Sequence, residues 1–233
     1  MKKYFMPDLN KHLTEEELKG HYNTSFDQLL ALSKQTLINK RRQEFLLRED
    51  IFSGRKKILD VGCYIGLISR FIAEKYPRSE VVGIDVVKEF IEAANVLSKS
   101  PNTSFIHGNI LTAKIKEKFD VIIFLETIEH VDNPIGMIRH FHKLLNKGGT
   151  LIISTPDCTG ITNVLRNIKH KSLEFIKHEK QNSGTEADHL YCWDKITLTR
   201  LLNRNGFELV DFFVSQKYNP CVYQSLVMVS KKR

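Results

Sequence analysis

Three acidic stretches carry the chemistry available to this sequence. The first is "ILDVGCYIG", in which apolar residues lead into Asp60 and two glycines follow, Gly62 and Gly66, four apart. Glycine frees the backbone for a sharp turn and for close approach of whatever that turn holds. A G-x-G-x-x-G turn would set a pyrophosphate at a helix N-terminus. Here an acid stands two residues before the first glycine, so the turn would repel a phosphate and attract a cation. The second is Asp85, closing "VVGID" nineteen residues beyond Gly66. A carboxylate at that place accepts hydrogen bonds from the two vicinal hydroxyls of a ribose.

The third is "ETIEH", with Glu126, Glu129 and His130. A one-turn helical bend would bring Glu126 and His130 onto one face. Two carboxylates and an imidazole suit a hard divalent ion such as magnesium, manganese or zinc, chelating neighbouring substrate oxygens. The structural alternative has Glu129 capping the turn and His130 packed against the strand that follows. His189, in "ADHLYCW", is the natural fourth ligand or a catalytic base, and His130 and Glu126 are the other candidates for that work.

These residues need elements to position them. From Lys57 strands alternate with helices: "KILDV", "GLISRFIAEKY", "EVVGID", "VKEFIEAANVLS", "TSFIHG", "FDVIIFL", "PIGMIRHFHKLLNKGG" and "TLIISTP". Such alternation implies parallel pairing with right-handed crossovers, a doubly wound α/β sheet whose ligands bind at the carboxyl ends of the strands. After Pro156 the alternation lapses, until "DKITLTRLLNRNG" reads as a helix. "FELVDFFVS" and "CVYQSLVMVSKK" then read as an antiparallel hairpin. Residues 1–55 read as a helical segment covering the ligand site at those strand ends. Residues 56–233 form the main domain, with 157–193 as a variable substrate lid.

Composition sets broad limits. No stretch approaches the apolar length of a membrane span, and the N-terminal apolar run stops at Pro7-Asp8, too short for a signal peptide. Four cysteines, Cys63, Cys158, Cys192 and Cys221, show no CxxC pairing, which fits reduced thiols and a cytoplasmic setting. The net charge of +8 favours anionic partners only in a general way, because the basic residues are dispersed.

Taken in order, "ILDVGCYIG", "VVGID", "HGNIL", "FDVIIFLETIEHVDNP" and "LLNKGGTLIISTP" resemble the class I S-adenosylmethionine-dependent methyltransferases, in their type 11/12/23 group. The ubiquinone-pathway O-methyltransferases are similar; the small-RNA 3′-terminal 2′-O-methyltransferases are similar through E-x-x-E-H and the stretch around Asp188, His189, Tyr191 and Trp193. The resemblance implies a Rossmann-like, seven-stranded sheet in the order 3-2-1-4-5-7-6, mostly parallel with a C-terminal antiparallel hairpin and helices on both faces. It implies S-adenosylmethionine as cofactor and S-adenosylhomocysteine as product. Asp60, Gly62, Cys63 and Gly66 would then surround the methionine part, Asp85 would hold the ribose, and Val86, Asn109 and Ile110 would meet the adenine. Leu125 would lie near the methyl group, and Arg42 would meet the cofactor carboxylate. Tyr64 stands where the family has a middle glycine, its ring narrowing the methionine pocket or facing substrate. Asn109 replaces a common aspartate and keeps an acceptor oxygen.

The leading expectation is methyl transfer to an oxygen of a small or medium-sized metabolite. A metal-dependent RNA 2′-O-methyltransferase and an inactive cofactor-binding partner subunit stay open beside it.

Overall fold

The computed structural model describes residues 48–54, 56–157, 190–216 and 224–233. The N-terminal helices, Arg42, His189 and nearly all of the 157–193 lid lie outside those residues.

Strands β1 (Lys57–Val61), β2 (Glu80–Asp85), β3 (Thr103–His107), β4 (Phe119–Leu125), β5 (Leu145–Pro156), β6 (Phe207–Gln216) and β7 (Gln224–Lys232) form one sheet. Its order is β3-β2-β1-β4-β5-β7-β6. The first five pair in parallel, and β7 runs antiparallel to both β5 and β6. Strand order reverses between β1 and β4, so the crevice that such a reversal opens lies above their carboxyl ends.

Each central strand is buried on both faces, as its unbroken apolar sequence demands. On one face Ile58, Val81, Val121, Ile123 and Ile152 pack with Ile51 and Phe52 of α1 (Glu49–Phe52) and Ile72 and Ala73 of α2 (Leu67–Lys75). On the other, Leu59, Val82, Ile122, Phe124 and Ile153 pack with α4 (Pro134–Leu144) and α5 (Lys195–Arg204) through Met137, Phe141, Leu198 and Leu202. Between these, α3 (Lys88–Leu97) lies against β2 and β3.

Helix starts follow local chemistry. Asn133 caps α4, its side chain accepting from the Gly136 N–H at 2.7 Å, with Pro134 in the first turn. Asp194 and Thr197 make a reciprocal capping box at α5. The end of α4 differs from the sequence expectation. The helix stops at Leu144 and "LNKGG" opens β5, where Asn146 Nδ2 donates to Asp120 Oδ1 at 2.9 Å. Lysines distant in sequence serve the helix terminus: Lys118 donates to the Lys143 carbonyl, and Lys232 to those of His142 and Leu145.

Gly66 is the N-cap of α2 with φ +71°, and a Cβ there would lie 2.6 Å from the Phe105 ring and 3.2 Å from Ala94 Cβ. The glycine lets helix and sheet approach closely. Gly66→Ala should cost roughly 2 to 4 kcal/mol, from left-handed backbone strain plus overpacking. The urea midpoint of unfolding measures it, and an unchanged midpoint refutes it.

Beyond β5, Asp157 pairs in an isolated parallel bridge with Trp193, so the chain leaves the sheet and returns to it side by side.

Candidate active site

The turn after β1 is built from three left-handed residues: Gly62 at φ +71°, Tyr64 at +52° and Gly66 at +71°. The Gly62 and Cys63 N–H groups both donate to the Ile84 carbonyl, which ties the turn to the end of β2. Gly62 has a steric reason as well: a Cβ there would meet Thr127 Oγ1 at 2.7 Å.

Asp60 pairs in register with Gly83. Asp85 lies two residues beyond Gly83, so both carboxylates point to the α2 face of the sheet, at adjacent strand ends. Asp60 is buried, and the Ser69 hydroxyl donates to its Oδ2 at 2.5 Å. Burial pushes its carboxyl up to about 6; Ser69 opposes the shift and the charge of Asp85 adds to it. Asp85 is also buried and also raised, with burial the leading cause. Its Oδ2 accepts from the Tyr64 N–H at 2.9 Å and its Oδ1 from the Val87 N–H at 3.0 Å. Each oxygen keeps a further lone pair for a hydroxyl donor.

These features fit an adenosyl sulfonium with an amino group. No cationic side chain among the described residues offsets the effect of burial on Asp60. Asp85 is held in place by two backbone donors, the Tyr64 and Val87 N–H groups.

The remaining cofactor candidates gather at the same strand ends with differing exposure. Val86 follows β2 and Leu125 ends β4, both partly buried. Ile110 is buried in the α4-side core. Asn109 Oδ1 accepts from the Leu111 N–H at 2.9 Å, so its oxygen already shapes the turn after β3. The Cys63 thiol is buried, and burial raises it well above the ordinary thiol range. The Tyr64 ring packs edge-on against Phe90, with centroids 4.4 Å apart, among Ile65, Val87 and Ala93. It therefore leans on α3, and burial followed by the Asp85 charge raises its phenol.

The structure does not bring the E-x-x-E-H carboxylates together. Glu126 takes φ +48° instead of continuing a helix, and only Ile128–His130 form a 3-10 turn. Its carboxylate accepts from Ser154 Oγ at 2.5 Å and Ser225 Oγ at 3.0 Å. Glu129 is buried and accepts from Thr155 Oγ1 at 3.0 Å. Ser154 and Thr155 are consecutive on β5 and point to opposite faces, so the two glutamates are held on opposite sides of the sheet. His130 Nε2 lies 3.9 Å from Glu129 Oε1, with 29% of its side chain exposed. Among the described residues no group of three His, Cys, Asp or Glu is placed to hold a metal ion.

Sequence reasoning missed several participants. His107, paired in register with Asp85, has Nε2 3.1 Å from the Val86 carbonyl; since a carbonyl only accepts, that nitrogen carries the proton. Ser69, Thr127 and Ser225 were equally invisible, because their partners are set by packing rather than by a local pattern. The Glu129 carbonyl accepts from the Leu190 and Tyr191 N–H groups at 2.8 and 3.2 Å, and the Tyr191 hydroxyl donates to the Asp132 carbonyl at 3.0 Å. The returning segment is thereby fastened to the 3-10 turn. No helix among the described residues is long and apolar enough to cross a membrane.

Comparison with known proteins agrees with this arrangement. A family model described as "Methyltransferase domain" matches residues 32–211. The chain is 32% identical over 175 residues to the ubiquinone biosynthesis O-methyltransferase of Histophilus somni, covering 66% of this chain and 73% of that protein. It is 32% identical over 106 residues to malonyl-[acyl-carrier protein] O-methyltransferase 1 of Ilyobacter polytropus, covering 44% of this chain but only 40% of that protein. The crystal structure of magnesium protoporphyrin IX methyltransferase from Synechocystis PCC 6803 with bound S-adenosylhomocysteine superposes with a TM-score of 0.67 at 17% identity. That match covers 94% of this chain and 100% of that one. The likeness there is one of fold, whereas the family match and the Histophilus relative carry the assignment. By that family match and that relative, the chain belongs to the S-adenosylmethionine-dependent methyltransferases.

Proposed function

We propose that this methyltransferase transfers its methyl group to an oxygen of a small or medium-sized metabolite. The observation that carries the reading is the pair of buried carboxylates on one face at the β1 and β2 tips, beside a turn of positive φ. The two curated relatives described above, both named as O-methyltransferases, support oxygen as the acceptor atom.

Asp60 would sit with the cationic methionine end and Asp85 with the ribose hydroxyls, while Val86 and Leu125 would flank the ligand. The cofactor supplies a carbon already activated toward displacement by the neighbouring sulfonium. The protein's part is then to align an acceptor lone pair with that carbon and to keep water out. For a hydroxyl acceptor a proton must leave, and His130 is the described residue suited to take it, with its ring part-exposed beside buried Glu129. His189 and Arg42 keep the roles the resemblance implies. The separation of Glu126 from Glu129 favours metal-independent transfer to a small acceptor over metal-assisted transfer to RNA.

Calorimetry with S-adenosylhomocysteine, run with manganese and with a chelator, tests the first half of this. Binding should occur and be unchanged between the two conditions; no binding, or strict metal dependence, defeats the reading. Labelled methyl transfer into fractionated cell extract tests the second half. Label should enter the small-molecule fraction, and incorporation confined to RNA would favour the other acceptor class.

A further inference from the structure

We propose that Glu126 is a positioning residue for the cofactor side of the site, acting as a neutralisable bracket rather than as a base or a metal ligand. The inference rests on the cofactor reading above. Glu126 is one of two non-glycine residues with positive φ among the described residues, and both stand on turns at the cofactor crevice. A residue with a Cβ stays in that conformation only where its surroundings over-determine it. They do so here. The Glu126 N–H donates to the Ser154 carbonyl at 2.9 Å, its Oε1 accepts from Ser154 Oγ, and its Oε2 accepts from Ser225 Oγ. One side chain on the exit of β4 thus ties together β5 and β7.

The consequence falls on the next residue. Thr127 Oγ1 donates to the Leu125 carbonyl at 2.8 Å, and the same oxygen occupies the space that a Cβ on Gly62 would enter. Glu126 therefore sets the backbone direction that lays Thr127 over the glycine turn and fixes the Leu125 carbonyl at its rim. Both carboxylate oxygens receive hydroxyl donors, which an amide can replace: its oxygen accepts from one serine and its nitrogen donates to the other. A base or a metal ligand has no such substitute.

The test uses the full chain, with S-adenosylhomocysteine as probe in calorimetry and melting temperature followed in parallel. Glu126→Gln should hold the dissociation constant within about threefold of the native chain, whereas Glu126→Ala should raise it about tenfold or more, the loss of one to two hydrogen bonds in a partly buried place. Ser225→Ala, which removes one arm only, should shift it in the same direction by a smaller factor. Glu126→Gly relieves the positive φ, so it should melt above Glu126→Ala without regaining affinity. If Glu126→Gln binds as weakly as Glu126→Ala, charge is required and the bracket is wrong. If Glu126→Gly binds as the native chain does, the side chain is dispensable and the proposal fails. Absence of binding by the native chain would instead remove the cofactor reading on which the proposal stands.

Discussion

Asp85→Ala is expected to weaken S-adenosylhomocysteine binding by roughly two orders of magnitude or more, the largest effect of any single substitution here. A buried carboxylate accepting from two hydroxyls makes two charge-assisted hydrogen bonds, each worth about 1.5 to 3 kcal/mol. The substitution also strands the Tyr64 and Val87 N–H groups that now donate to that carboxylate. Tyr64 is held at φ +52° with its N–H on Asp85, so the glycine turn should loosen and the melting temperature fall as well. Asp85→Asn separates the two consequences. Its amide keeps one acceptor but turns a donor against the other N–H, so affinity should fall less than for alanine while the turn remains strained. Calorimetry gives the answer directly, and affinity kept within threefold by Asp85→Ala would place the ribose elsewhere.

The second large effect concerns Asp60 and has two opposite signs. Burial raises its carboxyl from 3.8 to about 6, so between those values the unfolded chain ionises while the folded chain keeps its proton. The unfolded state then binds fewer protons, and stability falls as pH rises through that window, by about 3 kcal/mol in all. Below pH 3.8 both states are protonated, and above about 6 both are ionised, so the loss is complete on the alkaline side. Asp60→Asn removes that cost and keeps an acceptor for Ser69, so it should unfold at higher urea than the native chain at pH 7.5, with little difference at pH 4. Cofactor affinity should move the other way. In the native chain, binding of S-adenosylhomocysteine should strengthen as pH rises through about 6, when the charge facing the ligand's ammonium appears. In Asp60→Asn that step should shrink, and the raised Asp85 carboxyl supplies whatever slope remains. An unchanged pH profile with unchanged affinity would show that Asp60 serves the fold alone.

How much of this was legible in the sequence depends on the range of the interaction. The strands and their parallel pairing followed from hydrophobic alternation, whereas their order was what the resemblance implied, and the sheet has it. Asp60 and Asp85 stand out in the sequence because each is an acid at the carboxyl end of an apolar strand. Their sharing of one face is then a matter of parity, which the register of β1 on β2 makes definite. The one-turn helical bend expected to bring Glu126 and His130 onto one face does not form. The E-x-x-E-H spacing assumes helical periodicity from Glu126 onward, but Glu126 is left-handed, and its partner Ser225 lies ninety-nine residues away on β7. The contact of the Tyr64 ring with Phe90 was not legible, because it is one of tertiary packing. The end of α4 was misjudged for a similar reason, because the lysines serving its carbonyls come from Lys118 and Lys232, outside the helix.

The bridge between Asp157 and Trp193 bears on the chain between them. A chain that departs from and rejoins a rigid platform at neighbouring points can carry a longer or shorter excursion at a free-energy cost that grows only with the logarithm of its length. Segments of different length can thus be accommodated between these two residues without disturbing the sheet. The same junction offers an engineer two cut points for exchanging the segment between them.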